Sequence, residues 1–144
     1  MKYDGTAVEA REKAVAKAPV EEKPKYSRGR PRKGETRPAK EESVLEKQQK
    51  QSLVQMLTEM PKGCDIGCKR NSKGYKETWR GYKLHIATAD GDIPVAALLS
   101  SASMHDSGAI LPLMKIAQER VTWLYDLADS AYCSTITCAE LAVY

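Results

Sequence analysis

The feature that most constrains this chain is an uneven supply of core-forming side chains. Only 6 of the first 43 residues are Val, Ile, Leu, Met, Trp, Tyr or Cys, against 37 of the remaining 101. Charge is divided the same way: residues 1–50 carry 14 Lys/Arg against 9 Asp/Glu, and residues 51–144 carry 9 against 10. A chain that cannot bury apolar surface cannot offset the entropy of ordering its backbone. The sequence therefore predicts a disordered basic linker over 1–42 and one folded unit over 43–144, about the length that supports a single core. Pro19, Pro24, Pro31 and Pro38 interrupt any long helix in the first part.

No stretch approaches 18 apolar residues, and the N-terminal residues contain no apolar signal-like run. No membrane span and no secretory leader are expected, which points to the cytoplasm. The four cysteines, at 64, 68, 133 and 138, are then expected as free thiols. Their C-x3-C and C-x4-C spacings do not match a zinc ribbon.

From Ser43 the chain reads as structure. Ser43 and Glu46 have capping-box spacing, and Leu53, Met56, Leu57 and Met60 share one helical face, so one helix is expected up to Pro61. Residues 63–101 read as a three-stranded antiparallel meander. Its middle strand, Trp79 to Ala89, alternates Tyr82, Leu84 and Ile86 with Lys83 and His85, and Asp90-Gly91 marks a hairpin turn. Asp106 or Ser107 is expected to cap a helix over Gly108–Gln118. Val121 to Ala128 reads as a buried strand, and a last helix starts at Thr135. The fold class is α/β, with a mixed sheet and flanking helices.

Two aspartates stand out. Asp65 lies inside a short apolar strand and Asp129 ends the last one, with Asp126 three residues before it. If those strands are neighbours, two carboxylates meet, and a hard divalent cation would relieve their repulsion. The plain alternative is a pair of ordinary strand-end aspartates in an α/β domain.

Residues 64–113 with Arg120 to Tyr132, within a stretch of about 43–134, resemble the catalytic core of bacterial insertion-sequence transposases of the DDE type. The resemblance rests on the Asp-led strand at 65, Gly81-Tyr82-Lys83-Leu84-His85, His105-Asp106-Ser107, and Ala128-Asp129-Ser130-Ala131-Tyr132. It implies a ribonuclease-H-like fold, here incomplete, and a function in DNA transposition. It also implies Asp65 and Asp129 as catalytic acids and ligands of two Mg²⁺ (or Mn²⁺) ions at a phosphodiester. The partner it implies is double-stranded DNA at transposon ends, with the protein near the nucleoid. The unfinished helix after Asp129 leaves one face of the sheet uncovered, so association into a homo-oligomer is expected. Cys68 and Cys133 stand where Thr and Asp are expected. The family's third acid, a Glu, lies well downstream of the second Asp. Fifteen residues follow Asp129, and Glu140 is too close to fill that role. A truncated and catalytically inactive transposase is therefore expected. A non-enzymatic DNA-binding remnant acting through its basic arm is the alternative.

Two basic segments suit that partner. Within 23–34, Arg28-Gly29-Arg30-Pro31-Arg32-Lys33 is similar to an AT-hook, which lays Arg-Gly-Arg-Pro in the narrow minor groove of A·T-rich DNA. Residues 69–83 carry Lys69, Arg70, Lys73, Lys76, Arg80 and Lys83 against Glu77 alone, a set able to hold phosphates. His85 and His105 are expected to be structural.

Overall fold

The computed structural model describes residues 1–16, 29, 33, 41–132 and 136–137. Arg28, Arg30, Pro31 and Arg32 of the AT-hook-like segment lie outside the described residues. So do Cys133, Cys138, Glu140 and most of the last expected helix.

The first nine residues overturn part of the expected linker. Lys2–Glu9 forms a strand, β1, inside the sheet. Tyr3 is buried and Met1 packs into the same core, so this short run does bury apolar surface despite its charged surroundings.

Two short helices follow, not one. α1 spans Val44–Gln49 with the expected Ser43–Glu46 capping box. α2 spans Leu53–Glu59 with a second box, Ser52–Gln55. Ser52 competes for the local backbone N–H groups, which stops one helix and starts the next.

The meander forms as expected, with slightly different ends. β2 is Asp65–Arg70, β3 is Lys76–Thr88 and β4 is Pro94–Ser101, all antiparallel. Asp90-Gly91 does make the turn, with Gly91 at φ 76°. β3 is the spine: β1 pairs along residues 81–88, β2 takes 76–81 and β4 takes 82–88. At Gly81 these neighbours converge; its φ is +148°, and an added Cβ would lie 2.1 Å from the Val8 carbonyl oxygen.

α3 spans Ser107–Gln118 with Pro112 inside it. A proline has no N–H, so the Gly108 carbonyl loses its helical donor. The buried Gln48 of α1 supplies one, its Nε2 donating to Gly108 O at 2.8 Å. Asp106 makes no capping hydrogen bond, contrary to the expected cap.

The last strand is much shorter than expected. β5 is only Leu127–Ala128, and Leu124 is 98 % exposed. Residues 121–126 pair with no strand among the described residues, though Trp123 packs partly against the core. β5 lies parallel to β1, giving the order β2-β3-β1-β5 with β4 beside β3.

α3 covers one face of this sheet. Ile110, Leu113, Met114 and Ala117 are buried against Tyr3, Ala87, Ala96, Leu45 and Met56. Among the described residues no helix covers the opposite face, where Leu99 is 49 % exposed. With a core this small, Leu113→Ala is expected to cost about 2–5 kcal/mol, read as a shift in the urea unfolding midpoint.

Candidate functional site

Alternation along β1 sends Tyr3 into the core and Asp4 to the open face. Asp4 shares a shallow hollow there with Lys2, Thr6, Leu84, Ile86, Thr88 and Asp92. β5 runs beside β1 with Lys2 opposite Leu127 and Tyr3 opposite Ala128. Asp129 follows directly, so it comes alongside Asp4, about one strand spacing (about 4.8 Å) away. The Asp4 carboxylate accepts from the Gly5 N–H at 2.8 Å. That of Asp129 accepts from the Ser130 N–H at 2.5 Å and its hydroxyl at 3.2 Å. Both side chains are exposed. Tyr132 reports both: burial pushes its phenol up most, followed by the charges of Asp106, Asp4 and Asp129.

Asp65 is not part of this pair. It lies opposite Gly81, in the same row as Glu9 of β1. Five residues along β1 and three strand spacings then separate it from Asp129, roughly 20 Å. That corrects the expected Asp65–Asp129 site. The first acid-bearing strand of the sheet is β1, and β2 is an outer strand of the hairpin. Asp126 does not replace Asp129 either. Its carboxylate faces the buried Tyr3 hydroxyl on the core side, and burial followed by Asp126 drives the Tyr3 phenol up.

The sequence reading missed Asp4. Its signal, Lys-Tyr-Asp-Gly-Thr-Ala-Val, has β-formers at 3, 6 and 8, but the surrounding Lys, Glu and Pro conceal it.

His85 takes a structural place in the core, as expected. His85 is fully buried, and desolvation lowers its pKa most, Asp106 raising it and Lys83 lowering it further. Its Nε2 lies 2.9 Å from Ser100 Oγ and its Nδ1 3.2 Å from the Tyr132 hydroxyl. His105 meets Ser107 Oγ at 2.8 Å. Cys64 is a buried free thiol and Cys68 an exposed one.

Lys83 is not available to a phosphate. Its ammonium lies 2.8 Å from Asp106, donates to Met104 O at 2.8 Å and stands 5.9 Å over the Trp79 ring. Lys69, Arg70, Lys73, Lys76 and Arg80 are exposed on the β2–β3 hairpin. Asn71 ties its tip: Oδ1 accepts from Lys73 and Tyr75, and Nδ2 donates to Glu77. Arg70 pairs with Lys76, and even-numbered residues of β3 share the face of Asp4. Arg70, Lys76 and Arg80 therefore lie on the same open face as the acid pair.

Among the described residues, no cluster of three or more His, Cys, Asp or Glu side chains is arranged to hold a metal. No helix among them is long and apolar enough to cross a membrane. The family model of the transposase DDE domain matches residues 3–142. The chain belongs to that family. The match begins within β1, which agrees with that strand's place in the sheet. No curated protein and no solved structure matches the chain. A DDE transposase domain acts in transposition, has DNA as its partner and generally uses divalent metals.

Proposed function

We propose that this transposase domain holds one Mg²⁺ or Mn²⁺ ion between Asp4 and Asp129 and lays a DNA backbone across the open sheet face toward the β2–β3 hairpin. The observation that carries the reading is the parallel pairing of β1 with β5, whose register ends at Tyr3 and Ala128 and so brings the next residues, Asp4 and Asp129, to the same end of the ladder. The donor set fits a hard dication: two exposed carboxylates on adjacent strands, each fixed by one or two local hydrogen bonds. A bound dication would polarise a phosphodiester and favour ionisation of an attacking water.

The chain's own residues supply the rest. Gly5 and Ser130 orient the two carboxylates through their backbone N–H groups. Arg80, Lys76 and Arg70 extend along the same face, beginning about 20 Å from Asp4, a distance that spans about six base-pair rises of one duplex, so these cations would hold phosphates well away from the reacting one. Lys69 and Lys73 add charge at the hairpin tip. The 23–34 segment, with Arg28, Gly29, Arg30, Pro31, Arg32 and Lys33, provides a further DNA contact of minor-groove type.

Filter binding to duplex DNA across a KCl series tests the path. Each phosphate contact adds about 0.9 to the slope of log K against log salt. The Arg70→Gln/Lys76→Gln/Arg80→Gln variant is expected to lose roughly 2–3 from that slope. An unchanged slope would show that the hairpin does not face DNA.

A further inference from the structure

One buried contact joins the two acid-bearing strands from the side opposite the acids. Gly5, the residue after Asp4, points to the core face. A Cβ there would lie 2.7 Å from the Tyr132 hydroxyl, 3.4 Å from His85 Nδ1 and 3.7 Å from Asp106 Oδ1. The hydroxyl therefore occupies the space that a side chain at position 5 would need. Tyr132 is itself three residues after Asp129, and its N–H donates to the Asp129 carbonyl at 2.9 Å. It is 2 % exposed and meets the His85 ring edge-on.

The hydrogen bonds run in one consistent direction. Ser100 Oγ donates to the Ser101 carbonyl at 3.3 Å, so it accepts from His85 Nε2–H at 2.9 Å. That assigns the proton of a neutral His85 to Nε2 and leaves Nδ1 as the acceptor for the Tyr132 O–H at 3.2 Å. His85 lies on β3, opposite Gly5 in the register. The turn after Asp129 is thus fastened to β3 through the gap at Gly5, in the same row of the sheet as the acid-bearing strand.

We propose that Tyr132, seated in the Gly5 hollow and held by His85, is a positioning residue that sets Asp129 beside Asp4 for cation binding. This rests on the acid-pair reading of the site. Groups that orient metal ligands without touching the metal commonly influence affinity strongly, and here the orienting contact passes beneath the strand rather than around the ion.

The test is Mn²⁺ affinity of the full chain, measured from the electron paramagnetic resonance signal of free Mn²⁺ at a temperature where circular dichroism shows each variant folded. Gly5→Ala should drive the hydroxyl out and weaken binding roughly 10–100-fold. Tyr132→Phe alone should weaken it about threefold, on the smaller scale of one lost hydrogen bond. The decisive variant is Gly5→Ala/Tyr132→Phe. Without the hydroxyl the new methyl has room, so affinity should return to the Tyr132→Phe level, a strongly non-additive result. Additive losses, or a Gly5→Ala chain that is folded and binds like the wild type, would overturn the proposal while leaving the acid pair intact. If Gly5→Ala does not fold, the comparison of Tyr132→Phe with the wild type decides, and equal affinity overturns the proposal. A wild-type chain that binds no more tightly than Asp4→Asn would overturn the acid pair and this inference with it.

Discussion

Asp4→Asn is expected to lose Mn²⁺ binding by a factor on the order of 100, because ligand charge count sets the affinity of an oxygen site for a hard dication. A lone exposed carboxylate competes poorly with water for such an ion. Asp129→Asn should lose as much, and the double variant little more, because the two carboxylates act as one site. Asp65→Asn should bind like the wild type. Its carboxylate accepts from the Ile66 N–H at 2.7 Å, on the other side of the sheet from Asp129. The same resonance titration separates the two assignments in one experiment. Loss of binding in Asp65→Asn with retention in Asp4→Asn would return the metal site to Asp65.

That contrast shows which parts of the molecule were legible in the residues. The meander could be read because Leu84 and Ile86 alternate with Lys83 and His85, and because Asp90-Gly91 is a turn with its own chemistry. α3 could be read because Ile110, Leu113, Met114 and Ala117 keep one face. Asp129 could be read as the acid that closes a strand. β1 could not. Its eight residues lie in a basic arm, and its partner strand lies some 80 residues downstream, so nothing local announces the pairing. Periodicity identifies a strand but not its neighbour, and the acid pair is a statement about neighbours. With β1 discounted, the first remaining strand with an aspartate was β2, and Asp65 took the place proposed above for Asp4.

The same limit applied to Lys83, where charge was legible and its commitment was not. Lys83→Gln is expected to lower stability by about 2–3 kcal/mol, somewhat below the cost of breaking a fully buried pair. The side chains of Lys83 and Asp106 are 15 % and 26 % exposed, so the pair is neither a surface ion pair of negligible weight nor a dry one. Asp106 Oδ1 is buried and has no well-aligned hydrogen bond, while the ammonium directs a proton to Met104 O. The contact is therefore mainly electrostatic, and removing the cation leaves a carboxylate with little solvent and no compensating donor. Lys83→Met/Asp106→Leu, which removes both charges and keeps much of the volume, should recover most of the loss in urea unfolding. The salt slope of DNA binding should stay that of the wild type in Lys83→Gln, because the ammonium lies on the α3 face with Trp79 and away from the hairpin cations. A slope reduced by about 0.9 with stability unchanged would instead return Lys83 to the DNA surface.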